Sequence, residues 1–395
     1  MSVVLLVIGI VLFIGLIVVH EFGHFIAARR NGVKVEEFGI FFPPRLFKKK
    51  MKGGWDFTIN LLPLGGFVRL HGEHDSDTEK GSFGAASLWA KTQIMAAGVA
   101  MNLLIALLLL TFLALVGMPK LLDNQFTVAS DTKISKQQLY VGFVEKDSPA
   151  AKAGLKAQDK LLAYRGAPCG SASCVNTAFT TTQALKNATK THAGSAFTIK
   201  YERGGKVHVA TVQLRSQKAV VASQKTNDPK GYLGMAPNEI TLQRSTWSAP
   251  VVAVGLSTQM TKLTFEGLGK AVGGLGSIIA GTATGNSQAR VHGQTSASEQ
   301  VSGPYGIFLV LQIGSSFGLQ YILFIIAIIS LTLAIMNILP IPALDGGKLW
   351  ITLVARGIFK KPLKPKTEEL VNAIGFIVLI TLMIVITVVD VRRNG

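Results

Sequence analysis

The sequence predicts a polytopic α-helical membrane protein with about four transmembrane helices, a membrane-associated β-hairpin region and a soluble α+β domain. Of its 395 residues, 49% are hydrophobic. Four stretches, at roughly 2–27, 93–117, 318–339 and 370–390, approach or exceed the ~20 apolar residues that a helix needs to cross a bilayer. The mixed sequence between the second and third stretches is long enough for a separate soluble domain of roughly 100 residues.

The first predicted span, 1–30, carries ionisable residues inside an apolar helix. His20-Glu21-Phe22-Gly23-His24 places two histidines four residues apart, and therefore on one face of the helix. Both imidazoles can then bind one metal ion, and Glu21 can take a proton from a water molecule beside it. Because charged groups are costly inside a membrane, we expect a functional site here and not a packed core histidine.

Residues 31–91 are predicted to form a β region beside the membrane. Two strand-like stretches flank a basic turn, and the apolar Leu61–Leu70 that follows is interrupted by proline and glycine. This stretch is too short to span, so it either packs in a soluble sheet or dips into the membrane under cover of protein. An exposed strand edge there can pair with an extended peptide. The next residues, His71–Asp75, include metal-ligand types, but a polar loop is more typical of a solvated turn.

The second span, 92–118, is followed by a predicted domain at 122–217. The span opens on small residues that let another helix approach closely, and Asn102 either bonds across helices or lies near the interface. In the domain, Ser148 is a candidate N-cap before Pro149, and Gly154 is a candidate helix stop. Strands are expected at 140–144, 159–166, 196–202 and 207–214.

The two cysteines, Cys169 and Cys174, fall in the same domain. They either form a short disulfide or remain two free thiols. Their spacing matches no zinc-finger pattern.

The rest of the chain is predicted as a linker followed by two spans. Residues 218–302 contain a weakly amphipathic stretch near 247–281, which can lie on the membrane surface, and a polar loop. The third span belongs to 303–347 and ends at two prolines before a Leu-Asp-Gly-Gly turn. A basic loop at 348–366 leads into the fourth span, 367–391.

Charge predicts the orientation of the spans and the position of a third metal ligand. The formal net charge is +18, and much of the excess lies in the loops at 29–52 and 348–366. The positive-inside rule makes both loops cytoplasmic and puts the N-terminus and 122–217 on the outer side. His20, His24 and Asp345 then all lie near the cytoplasmic face, so Asp345 is the expected third ligand. No basic-aromatic motif accompanies the charge, so nucleic-acid binding is not expected.

Together these motifs resemble the site-2 protease family of intramembrane zinc metalloproteases, in its bacterial form with an external PDZ domain. The resemblance rests on motifs that occur in family order over nearly the whole chain: His20–His24, Pro63–Val68, Gly98–Asn102, Ser148–Ala150, Ser302–Pro304 and Asn337–Gly347. Only one PDZ domain is recognisable, whereas well-known members have two. Gln158 also stands where such domains usually have glycine.

The resemblance implies a multi-pass protein of the bacterial inner membrane that performs regulated intramembrane proteolysis. Its cofactor would be Zn²⁺, bound by His20, His24 and Asp345, with Glu21 as general base. The substrates would be single-pass membrane proteins, such as an anti-sigma factor, or remnant signal peptides, and chain ends would bind the PDZ domain. Gly65, Gly66 and Phe67 would hold the unwound substrate as an added strand. Asn337 would either help to hold its backbone or form an interhelical hydrogen bond.

Two other functions account for part of the same sequence. A zinc-binding membrane transporter or sensor would need the metal site and the spans, but not Glu21 or a peptide-binding domain. A non-catalytic PDZ membrane scaffold would have no need of a general base.

Overall fold

A computed structural model describes residues 2–167, 176–179, 181–226, 228–286, 288 and 303–394 of the chain. They form two compact units. Unit 1 comprises 1–115, 125–128 and 247–395, and unit 2 comprises 116–124 and 129–246. Cys169, Cys174, Ser302 and most of the predicted polar loop lie outside the described residues.

Four described helices of unit 1 are long and apolar enough to cross a membrane, as the sequence predicts. They are α1 (Ser2–Arg30), α2 (Leu88–Val116), α8 (Leu319–Ile338) and α10 (Pro365–Asn394). A helix suits such segments because it satisfies all of its own backbone hydrogen bonds in lipid. The protein is therefore a polytopic helical membrane protein.

Three further helices of unit 1 flank these spans. α6 (Ala249–Ala283) covers the stretch predicted as amphipathic, and α7 (Pro304–Phe317) precedes α8. Gly318, at φ 110°, separates α7 from α8, so the apolar stretch before residue 319 is a separate short helix and not part of the third span. α9 (Asp345–Thr352) follows the two prolines and continues as a π-helical turn, Leu353–Ile358.

The predicted β region is a single pair of long, irregular strands, β1 (Val35–Lys50) and β2 (Asp56–Leu70). Residues 37–40 of β1 pair with both 56–59 and 66–69 of β2. Residues 45–50 of β1 pair with 56–60 of β2 in the opposite direction, from Arg45 with Asn60 to Lys50 with Asp56. Four segments therefore lie side by side, in the order 45–50, 56–60, 37–40 and 66–69. No other described strand pairs with the outer edge of 66–69.

The loop between β2 and α2 is anchored by a buried carboxylate. Asp75 is 1% exposed, so the prediction of a solvated turn is wrong for this residue. Its side chain pairs with Lys91, which is also 1% exposed, and accepts hydrogen bonds from Nε of Arg356 and the backbone N–H of Leu363, both at 2.9 Å. Burial alone would raise the pKa of Asp75, but these donors hold it below its usual range. The loop is thereby tied to α2 and to the segment between α9 and α10.

Unit 2 is an α+β unit built on one sheet. Its strands are β3 (Met118–Pro119), β4 (Lys133–Val144), β5 (Lys160–Arg165), β6 (Thr177–Ala178), β7 (Ala196–Arg203), β8 (Lys206–Gln213) and β9 (Met235–Arg244). The order is β3-β9-β4-β5-β7-β8, with β6 beside β5. Its helices are α3 (Pro149–Lys152), α4 (Thr182–Thr191) and α5 (Gln217–Ser223). The core includes Leu139, Leu161, Phe197 and Ile199.

The predicted cap of the first short helix is present, and a strand beyond the predicted end of the domain pairs with the sheet. The Ser148 hydroxyl accepts a hydrogen bond from the backbone N–H of Ala151, and Gly154 has φ +78°. Gln158 has φ +71°, so a residue with a side chain occupies the conformation that favours glycine. β9 lies beyond residue 217, the predicted end of the domain, and it pairs with β4 from Lys133 to Val144. Polar residues and Pro237 obscure this strand in the sequence.

Candidate metal centre

The metal centre begins with the face of α1 that carries the two histidines. His20 and His24 are each 9% exposed, although α1 consists almost entirely of aliphatic residues. α2 crosses α1 very closely here. A Cβ on Gly98 would lie 2.4 Å from Nε2 of His24 and 2.6 Å from Cε1 of His20. Residue 98 must therefore be glycine for the imidazoles to occupy this crossing.

Asp345 reaches the same point from the end of α8. The helix stops before Pro340 and Pro342, and Asp345 is the first residue of α9, where a carboxylate also suits the helix dipole. A Cβ on Gly346 would lie 2.2 Å from the carbonyl oxygen of Leu339, and one on Gly347 would lie 2.3 Å from that of Ile341. The two glycines let α9 start directly against the turn that precedes it.

Three ligand atoms converge at this point. The Oδ2 atom of Asp345 lies 2.9 Å from Nε2 of His20 and 3.1 Å from Nε2 of His24. The two Nε2 atoms are 3.3 Å apart. Ligands about 2 Å from one tetrahedral zinc ion lie about 3.3 Å from each other, so the three atoms fit a single zinc ion. It is the only such group of His, Cys, Asp or Glu in the described part of the chain.

Hydrogen bonds to the second ring nitrogens orient both imidazoles. Nδ1 of His24 donates to the backbone carbonyl of Ile94 at 2.7 Å, which leaves the lone pair of Nε2 for a metal. Nδ1 of His20 lies 3.2 Å from the side-chain amide nitrogen of Asn102. Asn102 thus bonds across helices, which is one of the two roles the sequence leaves open. The Ile94 contact uses a backbone atom, so no side chain in the sequence signals it.

The side chain of Glu21 packs against the β region as well as lying beside the two histidines. A Cβ on Gly66 would lie 3.0 Å from Cγ of Glu21 and 3.6 Å from Ile17. Gly66 is therefore the point where the backbone of β2 passes the glutamate, in the segment whose outer edge pairs with no described strand.

The other predicted substrate-binding residues are placed less directly. The ring of Phe67 covers Gly39 and stacks on Phe42 at 6.4 Å, and the Phe42 ring also covers Gly65. Asn337 lies in the last turn of α8, half-buried, and its backbone oxygen packs against Gly346. Gly65 and Phe67 thus lie in the same strand segment as Gly66. Among the described residues, no hydrogen bond joins the Asn337 side chain to either histidine.

Comparison with known proteins agrees with this geometry. The model of peptidase family M50 matches residues 8–382. A protein of Clostridium acetobutylicum named as a zinc metalloprotease is 30% identical over 98% of this chain and 97% of its own. Another of Clostridium perfringens, named likewise, is 27% identical over 98% of both chains. A protein of Enterococcus faecalis named as a protease, eep, is 26% identical over 97% of this chain and 98% of its own.

Proposed function

The chain belongs to peptidase family M50 and is a zinc metalloprotease, and we propose that it cuts the transmembrane segments of single-pass membrane proteins. The observation that carries the proposal is the position of the metal centre. Two of its three ligands lie inside a helix long and apolar enough to span, beside a strand edge that is open to an extended peptide. Candidate substrates are an anti-sigma factor or a remnant signal peptide, as in regulated intramembrane proteolysis.

The residues divide the chemistry between them. His20, His24 and Asp345 would hold the zinc ion. When bound there, the ion would supply Lewis acidity toward a water molecule and the scissile carbonyl. Glu21 would act as the general base that takes a proton from the attacking water, and it would then deliver this proton to the leaving amide nitrogen. Glu21 packs against the backbone at Gly66, so the base lies beside the segment to which the substrate is proposed to bind.

The open edge of residues 66–69 supplies the substrate site. A transmembrane helix hides its own amides, so it must unwind before it can be cut. Strand addition to the 66–69 edge would satisfy the freed backbone groups, which cannot stay unpaired in lipid. Gly65, Gly66 and Phe67 form this site, and the lack of a side chain at Gly66 lets the substrate strand lie near Glu21. Asn337 is the proposed partner of the substrate backbone at the end of α8.

Unit 2 offers a second surface for the substrate. A groove of about 560 Å³ lies between α4, α5 and the residues that lead into β9. Its lining includes Lys186 and Lys190, together with the apolar Leu233 and Val220, and Lys230, which pairs with Glu145 and Asp228. A groove with cations beside apolar residues suits a chain end that carries a carboxylate, and we propose that unit 2 selects substrates as a PDZ domain.

The basic loops support one orientation of the spans. Cations at 29–52 and 348–366 favour cytoplasmic positions for both loops. We therefore propose a bacterial inner-membrane protein with unit 2 outside the cytoplasm and the metal centre near the cytoplasmic face.

The test is cleavage of a model single-pass substrate by the purified full chain in detergent. Wild type should cut the substrate and lose activity with a zinc chelator. Glu21→Gln should abolish cleavage but retain bound zinc by elemental analysis, whereas Glu36→Gln, a carboxylate on β1 paired with His71, should behave as wild type. Zinc binding without any cleavage by wild type would favour a transporter or sensor. Cleavage by Glu21→Gln would remove Glu21 as the base.

A further inference from the structure

The β region carries a second surface, at the edge opposite the proposed substrate edge. We call residues 45–52 the basic hairpin, and its five cations are Arg45, Lys48, Lys49, Lys50 and Lys52. Lys48 pairs with Asp56 at 2.8 Å, and Arg45 pairs with Glu37 at 3.3 Å. Among the described residues, Lys49, Lys50 and Lys52 are exposed and lie within 4 Å of no carboxylate. Three exposed cations that form no ion pair among the described residues therefore lie together at one end of a strand.

Contacts with helix α1 indicate the depth of this sheet in the membrane. Gly66 lies against Glu21, inside the apolar part of the helix. The Trp55 ring lies 4.8 Å from that of Phe25, and a Cβ on Gly53 would lie 3.5 Å from the guanidinium of Arg29. Glu21 and Arg29 are about 12 Å apart along the helix at ~1.5 Å per residue. One end of the sheet thus lies at the depth of Glu21, and the other lies where the apolar helix ends.

The basic hairpin runs along the same direction. Arg45 pairs with Asn60 and Phe47 with Ile59, toward the deeper end, whereas Lys50 pairs with Asp56, toward Arg29. The deeper end also exposes large apolar side chains. The exposed fractions are 63% for Leu46, 48% for Phe47, 52% for Leu61 and 43% for Leu62. From Leu46 to Lys52, exposed apolar residues are therefore followed by exposed cations.

This order matches the cross-section of a bilayer, in which hydrocarbon is followed by phosphate. We propose that the basic hairpin binds acidic phospholipids of the membrane in which the chain lies. Lys49, Lys50 and Lys52 contact headgroups, and Leu46 and Phe47 enter the acyl boundary. A soluble acidic partner would account for the lysines, but not for the apolar residues at the depth of Glu21.

The lipid contact has a structural consequence for the metal centre. Residues 45–50 and 66–69 are the two outer segments of one four-segment sheet, so lipid held at the first edge fixes the position of the second edge. The second edge passes Glu21 at Gly66. Lipid binding itself does not require the chain to be a protease, so its test is independent of cleavage.

The test is binding of fluorescent phosphatidylglycerol to the purified full chain in detergent micelles, compared with fluorescent phosphatidylcholine. Wild type should prefer phosphatidylglycerol. The triple variant Lys49→Gln, Lys50→Gln, Lys52→Gln should bind it about a hundred times more weakly, because each lysine near a headgroup contributes about fivefold. Replacement of the same three lysines by arginine should preserve the preference, since the charge remains.

A matched variant controls for net charge. Lys156→Gln, Lys206→Gln, Lys218→Gln removes three exposed lysines of unit 2 and should bind phosphatidylglycerol as wild type does. Raising the salt concentration should weaken wild-type binding toward that of the hairpin variant, whereas millimolar inorganic phosphate should not compete, because it has no acyl chain. Equal losses in the hairpin and control variants, or a hairpin variant within twofold of wild type, would overturn the proposal.

Discussion

Asn102 is the residue for which the structure makes the sharpest prediction. It is 1% exposed in α2, and its amide lies 3.2 Å from Nδ1 of His20. With the amide nitrogen toward the ring, its Oδ1 atom is buried without a hydrogen-bond partner in the described structure. Rotating the amide by about half a turn makes Oδ1 the acceptor of an Nδ1–H bond and leaves the lone pair of Nε2 for zinc. We therefore expect Asn102 to position His20 as a ligand.

The size of the effect follows from burial. Asn102→Leu leaves Nδ1–H of His20 without its acceptor at a buried position. An unsatisfied buried donor costs about 1–3 kcal/mol. Loss of a hydrogen bond that orients a ligating histidine weakens metal affinity by about 10–100-fold, which is roughly 1.4–2.7 kcal/mol. The two estimates agree, so the zinc affinity of Asn102→Leu should fall by about one to two orders of magnitude.

The assay is competition for zinc between the purified protein and a chelating dye, which does not depend on cleavage. Asn102→Asp retains an acceptor and should stay within about tenfold of wild type, because a carboxylate also orients a ligating histidine. Ser330→Ala is the packing control. The Ser330 hydroxyl donates to the backbone carbonyl of Asn102 at 2.7 Å and does not contact His20, so this variant should bind zinc as wild type does. If Asn102→Leu binds zinc within twofold of wild type, Asn102 has only a packing role.

Three more predictions concern Asp345, the buried pair of Asp75 and Lys91, and the backbone of unit 2. Asp345→Ala should lower the zinc content of purified protein, whereas unchanged content would mean that Asp345 is not a ligand. Asp75→Asn should destabilise unit 1 by about 3–5 kcal/mol in denaturant unfolding, because the buried Lys91 loses its ion-pair partner. Gln158→Gly should slow hydrogen exchange around β5 by relieving about 1 kcal/mol of left-handed backbone strain, and Gly154→Ala should speed it by introducing similar strain.

The Asp75 prediction also has a direction in pH. Because the pKa of Asp75 is lowered in the folded chain, its contribution is fully present above the ordinary aspartate pKa of about 3.9 and fades as the pH falls through the lower folded value. The Asp75→Asn substitution should therefore matter at neutral pH and progressively less in acid. Equal stability of the wild type and this variant at pH 7 would contradict the role of the pair.

Much of the fold follows from one-dimensional patterns. Continuous apolar runs predict the four spans, because a helix is the simplest way to satisfy backbone groups in lipid. The cap at Ser148 and the stop at Gly154 depend on neighbouring residues, so the local sequence also predicts them. The local sequence does not predict β9, because its pairing with β4 joins residues about 100 positions apart and its own pattern is broken by Pro237. The third apolar stretch is predicted to begin at residue 318, and in the structure Gly318 separates α7 from α8 there.

The metal centre divides in the same way. His20, Glu21 and His24 lie within one turn of a helix, so their spacing alone predicts a shared ion and an adjacent base. The choice of Asp345 as the third ligand required an assumed packing of the first and third spans, and in the structure its carboxylate reaches both imidazoles.

Tertiary structure alone decided the surroundings of that centre. Asn102 at Nδ1 of His20, the Gly66 backbone at Glu21 and the buried position of Asp75 each depend on which faces of distant segments meet. The sequence determined which residues can bind zinc and which can activate water, because both abilities depend on side-chain type and local spacing. It could not determine which groups orient them, because hydrogen bonds between segments depend on packing geometry that no local pattern encodes.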